Sequence, residues 1–403
     1  MNPATLGRVV ITADTLSAAD VQWTSPIDVC SPTLSTGAAT PTLSKYYELG
    51  LASEGCNGLI PLGVGKYRSG FKVNVSGLHN SVHVIDDVGR PNDRGYLAIP
   101  DDALGDEYYV GTSCSFGGTC QVAITPVENN TLVFITFPKN VSGAFNCTNE
   151  PVVAGETLSF TLDEFDVLHF ESRSDLSGLH IVASGPVAVV AGARNISTRV
   201  FNVYGSTMEM LLPVSKWGTN FIVAPNPNND AGDVIKIVTY ADNTEIKITA
   251  FSSFVVPVGG TVVEQRVDWG MHSLVETSAP VMLLQITSLD MYNVTNAVVG
   301  TPSMTLIPPI SLWTSDLVYH PCNTTTTLVA ATYDAVFATQ TTNTNTEYVE
   351  NTNVSVYMFT HSAARGIVGD SPYFPYGICG NQSSYPLAIN WTLDLHVSNF
   401  VSL

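Results

Sequence analysis

The sequence predicts an all-β fold built from tandem copies of one unit, and three observations carry the prediction. First, a strand-rich pattern recurs: VVITADTLSAADVQW from Val9, VAITPVENNTLVFIT from Val122, IKIVTYADNTEIKIT from Ile235 and a weaker TLVAATYDAVFAT from Thr327. The first three are spaced 113 residues apart and the fourth follows after 92. Second, two other blocks keep the same order, one ending in a proline segment (Pro100, Pro213, Pro308) and one around SGFKVNVSGLHNSVHVID, SGLHIVASGPVAVVAGA and HSLVETSAPVMLLQIT. Fixed-order self-similarity marks duplicated units whose copies pack together. Third, apolar residues alternate or cluster in short runs punctuated by Gly, Pro, Asn and Asp, so helical periodicity is nearly absent.

Each copy reads as about eight short strands. In the second these are HIVAS, PVAVVAG, MEMLLP and FIVAP, running on into VIKIVTY, TEIKIT, FVVPVGG and VVEQRVD. Repeats are expected over about 9–121, 122–234 and 235–326, with a partial copy over 327–380, the whole forming one domain at 9–380. Residues 381–403 stand apart as a C-terminal extension. Runs such as PVAVV and PVMLLQI are apolar on both faces, which suits small antiparallel sheets stacked in a propeller-like array. Tandem β-sandwiches of about 100 residues each are the alternative. Leu104, Trp217 and Leu312, four residues after the aligned prolines, read as repeat core.

Composition excludes several function classes. Charged residues are 13% and hydrophobics 45%, enough to fill a core. The formal charge of −19 repels phosphate backbones, so nucleic acid is not an expected partner. No apolar run reaches the roughly 18–20 residues of a membrane helix. The opening residues lack the charged and apolar regions of a leader, yet ten sequons favour an extracellular chain whose signal peptide lies upstream. The candidate glycosylation sites are Asn74, Asn129, Asn140, Asn146, Asn195, Asn293, Asn323, Asn353, Asn381 and Asn390. Seven cysteines are present, without a CxxC pair that would suggest zinc. Cys114 and Cys120 bracket SFGGT, a Gly-rich turn able to bring two strand ends within disulfide reach.

Catalytic patterns are sparse. Asp86, Asp87, Asp93, Asp101, Asp102, Asp106 and Glu107 form the densest acidic stretch, which reads as a solvated face rather than a calcium loop. Asp163, Glu164 and Asp166 beside His169 could pair carboxylates for glycoside hydrolysis, provided Glu164 and Asp166 share a strand face. His320 and Cys322 lie at a strand end and read as structural, and Tyr373, Phe374 and Tyr376 could form an aromatic platform or pack under the closing segment. No catalytic, metal or cofactor residues are assigned.

Several blocks together resemble the N-terminal domain of the IgG Fc-binding protein family: YLAIPDDALGDEYYV (96–110), SGPVAVVAGARN (184–195), LLPVSKWGTNFIVAP (211–225), GDVIKIVTYADNTEIKIT (232–249), GTPSMTLIPPISLW (300–313) and THSAARGIVGDSPYFPYGICG (360–380). The resemblance covers roughly residues 9–380 and implies a secreted protein of mucus or extracellular matrix. The self-cleaving Gly-Asp-Pro-His site of modules often joined to that domain is absent; Gly369-Asp370-Ser371-Pro372 stands instead. The expectation is therefore a non-catalytic glycoprotein module for adhesion or the mucosal barrier, binding a mucin, matrix or immunoglobulin-like partner without a cofactor. The alternative is a secreted glycan-active hydrolase.

Overall fold

The computed structural model describes residues 6–12, 21–24, 33–35, 44–49, 64–76, 81–87, 94–114, 118–138, 145–146, 151–197, 204–227, 232–249, 251–287, 302–319, 326–332, 345–361, 365–379, 383–386 and 397–402. The described residues are all-β, in curled antiparallel sheets joined by short 3-10 turns.

The four recurring blocks form strands Leu6–Thr12, Thr119–Pro126, Asp233–Thr239 and Thr326–Thr332. Each pairs on one edge with a later strand of its unit: Ser44–Leu49, Asp166–Ser172, Val262–Val267 and Ser355–His361. On the other edge each pairs with a central strand. The central strands are His180–Ser197, Ser273–Thr287 and Arg365–Cys379, and in the first unit the pair Phe71–Ser76 and Ser81–Asp87. Among the described residues the fourth unit lacks a counterpart of Thr131–Thr136 and Thr244–Ile248, the second strands of the middle units.

The long central strands curl because they change partners halfway. The first half of His180–Ser197 lies between Thr131–Thr136 and Gly105–Tyr109; the second half lies between Thr119–Pro126 and Tyr204–Met210. Register against Gly105–Tyr109 shifts between Val182 and Val187, around Ser184-Gly185-Pro186. Ser278-Ala279-Pro280 occupies the same place in Ser273–Thr287, and Ser371-Pro372 falls where Thr314–Tyr319 shifts register on Arg365–Cys379. Proline has no N–H to give a ladder, so it belongs where pairing is interrupted. The bend serine then takes a free donor: Ser184 Oγ accepts from Leu132 N and Ser278 Oγ from Glu245 N, both at 2.9 Å. Gly369-Asp370-Ser371-Pro372 thus spans a strand bend.

After the central strand each unit adds one inner strand: Arg94–Leu97, Tyr204–Met210, Ser303–Ile307 and Ser383–Pro386. These four pack against one another in a closed cycle, first on second, second on third, third on fourth and fourth on first. The chain leaves each of the first three inner strands through a proline and one 3-10 turn, then pairs with the next unit's central strand. The turns open at Pro100, Pro213 and Pro309 and close at Leu104, Trp217 and Trp313. The third alignment is therefore one residue later than the Pro308 and Leu312 expected, because two consecutive prolines leave the sequence register ambiguous. The final strand, Val397–Ser402, returns to pair with Phe71–Ser76 of the first unit. It lies in a three-stranded sheet with Val21–Thr24 and Phe71–Ser76.

The interior is apolar and dense. Tyr96, Tyr108, Phe137, Phe170 and Phe221 are the largest fully buried side chains, and a buried Phe contributes about 2–3 kcal/mol. One cluster joins the first two units to Met282, Leu284 and Leu306 of the third; a second joins the third to Val329, Ala331 and Val356 of the fourth. Among the inner strands lies a buried carboxyl. Glu209 Oε2 accepts from Leu306 N at 2.9 Å and Oε1 from Met210 N at 3.1 Å. Burial pushes its pKa up to about 8 against the pull of those two N–H groups. Since the folded value exceeds the unfolded one, this group's contribution to stability is full below about pH 4.5 and is lost as pH rises through about 8. We expect Glu209→Gln to flatten that part of the profile, read as denaturant midpoints from pH 5 to 8.5. An unchanged slope would refute the assignment.

Candidate functional site

The outer face of the second sheet is the candidate site. In Thr131–Thr136 the side chains alternate, with Thr131, Val133 and Ile135 buried and Leu132 and Phe134 exposed at 44% and 43%. Register sets Phe134 between Ser159 and Val182, and Val182 beside Glu107. Val182 is 38% exposed, so Leu132, Phe134 and Val182 make an apolar stripe on one face. The next row holds Thr157, Thr136, His180 and Tyr109. The Thr136 and Thr157 hydroxyls meet at 2.9 Å. His180 Nε2 lies 2.8 Å from Glu107 Oε1, and the His180 ring stacks on Tyr109 at 4.2 Å. Tyr109 also meets Tyr240 of the third unit edge-on at 6.2 Å, and Tyr240 is half-exposed. The stripe therefore ends in an aromatic cluster at the seam between two units.

The third unit builds the same sheet with different chemistry. The residues 113 positions after Leu132, Phe134, Glu107 and Tyr109 are Glu245, Lys247, Asn220 and Ile222. They occupy the same registers: Lys247 opposite Glu276, Glu276 opposite Asn220, and Ile222 opposite Leu274. Lys247 and Glu245 sit 3.8 Å apart as a surface ion pair. The fold tolerates charge at these positions, so the apolar stripe of the second unit is not a demand of packing.

The candidate acids hold the scaffold. Asp163 and Glu164 lie in a turn with Phe165 at φ 70°, and the strand starts only at Asp166, so Glu164 and Asp166 do not share a strand face. Asp166 is buried, bound to Lys66 at 2.9 Å, with Arg68 at 3.9 Å, and accepts from Asp163 N. Asp163 Oδ1 accepts from Asn130 N, closing the opposite turn. His169 stands within Asp166–Ser172. In the acidic stretch Asp101 is paired with Lys72 at 2.8 Å, while burial raises its pKa. Asp86 and Asp87 end the strand Ser81–Asp87, and Asp93 lies outside the described residues.

A second charge cluster crosses the seam. Lys236 Nζ is buried and reaches Asp175 at 2.7 Å and Glu264 at 2.8 Å. Asp175 Oδ1 accepts from Thr112 Oγ1 at 2.6 Å and from Ser177 N at 3.0 Å. Burial opposes both charges, but the mutual attraction and hydrogen bonds prevail, holding Asp175 below and Lys236 above their ordinary ranges. Cys114 and Cys120 are joined beside Thr112, with Cα atoms 5.1 Å apart.

Of the sequons, Asn129 and Asn353 are exposed at turns, and Asn74, Asn146 and Asn195 lie in strands. Asn140, Asn293, Asn323, Asn381 and Asn390 fall outside the described residues, as do His320 and Cys322. Tyr373, Phe374 and Tyr376 lie within Arg365–Cys379, facing Thr332, Ala331 and Val329 in register. Sequence reasoning missed the stripe, although its signal was present: NTLVFIT and NTEIKIT exchange apolar for charged residues at the two positions that the alternation places outside.

No solved structure matches the chain. Over 144 residues, 35% of this chain, it is 32% identical to the human IgGFc-binding protein, and the match spans 3% of that protein's length. The family model for the IgGFc binding protein matches residues 94–382, from the first inner strand to the edge of the last, and the chain belongs to that family.

Proposed function

We propose that this chain is a secreted, non-catalytic module that binds a protein partner, with immunoglobulin Fc as the first candidate. The observation that carries the reading is the apolar stripe of Leu132, Phe134 and Val182, present where the equivalent sheet bears Glu245, Lys247 and Glu276. A rigid apolar face flanked by aromatic and polar groups is the anatomy of a protein-binding patch. Its relative is named for Fc binding, which supports the choice of partner. The module takes in residues 9–380 together with the strand Val397–Ser402. A setting in mucus or matrix is supported by the family resemblance, together with the sequons and the acidic charge; mucin, glycan and matrix ligands are the other partners to screen.

The test imports the third unit's own residues, which this sheet geometry already accepts. Phe134→Lys with Val182→Glu should weaken Fc binding at least about tenfold, since central apolar anchors each contribute more than about 1 kcal/mol. Surface plasmon resonance against Fc, mucin glycans and matrix proteins measures it, with circular dichroism confirming the fold. Undiminished Fc binding by the variant would move the site off this face. Turnover of chromogenic glycosides lost on removing Glu164 or Asp166 would replace the reading with a hydrolase.

A further inference from the structure

The turn that opens the stripe carries a modification signal found on the same unit and missing from its twin. Asn129-Asn130-Thr131 is a sequon; the third unit has Asp242-Asn243-Thr244 in the same place. Asn130 and Asn243 take the same left-handed conformation, φ 57° and 54°, and Thr131 and Thr244 hydroxyls donate to Glu128 O and Ala241 O. The two turns are built alike, so the sequon is not explained by the turn. Asn129 is exposed, and its Oδ1 accepts from Glu164 N at 3.1 Å. That bond uses the oxygen and leaves the amide nitrogen, the atom that takes a sugar, available. Leu132 lies three residues on, in the strand that this turn opens.

We propose that Asn129 carries an N-linked glycan that lies over the stripe and screens Leu132 and Phe134 from non-specific association. In the transfer, Asn129 Nδ2 bonds to the anomeric carbon of a lipid-diphosphate-linked oligosaccharide. The carbon–oxygen bond to the diphosphate breaks, the diphosphate departs, and the transferase base takes one amide proton. The C–H faces of the sugar rings cover the apolar surface while their hydroxyls stay in water, and a partner of matched shape displaces them.

The experiment uses the full chain secreted from eukaryotic cells. Peptide mass mapping should find Asn129 glycosylated in most molecules. Asn129→Asp, the third unit's own residue, keeps the Oδ acceptor and removes the sugar. It should raise binding of an apolar fluorescent dye about two- to threefold, since such dyes report exposed apolar surface. The rise should vanish in the Phe134→Lys, Val182→Glu background. Unmodified Asn129 as the main species would overturn the proposal, as would dye binding that Asn129→Asp leaves unchanged. Neither readout depends on Fc as the partner.

Discussion

Gly218→Ala is expected to destabilise the protein by about 2–3 kcal/mol, as overpacking against groups that cannot swing away does. Successive connections of the ring lie against each other at single glycines. A Cβ on Gly218 would stand 2.3 Å from Pro309 Cβ and 2.8 Å from its Cγ; one on Gly105 would stand 2.6 Å from Pro213 Cβ. Pro213 and Pro309 open the two following 3-10 turns, and a proline ring has no rotamer that clears the space. Gly185→Ala is the control, because its nearest neighbour would be Glu128 Oε2 at 3.9 Å. That variant should stay within about 0.5 kcal/mol of the parent. Denaturant midpoints decide it, and equal midpoints for Gly218→Ala and Gly185→Ala would show that the connections do not interlock.

Lys236→Met should cost about 2–3 kcal/mol, less than the roughly 3–5 kcal/mol of breaking a fully buried ion pair. The lysine itself is buried, but the Asp175 and Glu264 side chains are 45% and 56% exposed and regain water when it is lost. The remaining cost comes from two acids left facing each other across the seam between the second and third units. Adding Asp175→Asn should recover part of it, so the two changes must be non-additive in a double-mutant cycle. The pH window follows from the directions of the shifts. Asp175 is held below its ordinary value, so its contribution is present above about pH 4 and is lost as pH falls through the lowered folded value. Lys236 is held above its ordinary value, so its contribution is present below about pH 10.5 and is lost as pH rises through the raised one. Strict additivity, or a stability gap between parent and variant that does not narrow as pH falls below about 4, would remove this cluster from the account of the seam.

The sequence by itself determined the all-β class, the recurring strand blocks, the family and the pairing of Cys114 with Cys120. These are local or periodic properties. Alternation, turn residues and fixed spacing are written along the chain and need no knowledge of what packs where. The tertiary structure alone decided what those blocks do together. Pro186, Pro280 and Pro372 are ordinary strand prolines in the sequence; only pairing on both edges shows that they mark where a central strand changes partners. Residues 397–402 pair with Phe71–Ser76, a contact spanning almost the whole chain that nothing local to either segment announces. Glu164 and Asp166 share period-2 spacing, but the positive φ of Phe165 puts one in a turn and the other at a strand start. Lys236 gives no local sign of burial; its partners come from a neighbouring turn in the previous unit and the next strand of its own. The stripe was half legible. The repeat alignment already set Leu132 and Phe134 against Glu245 and Lys247, but Val182 joins them only through register, because which residues face one another across a sheet is fixed by pairing and not by spacing.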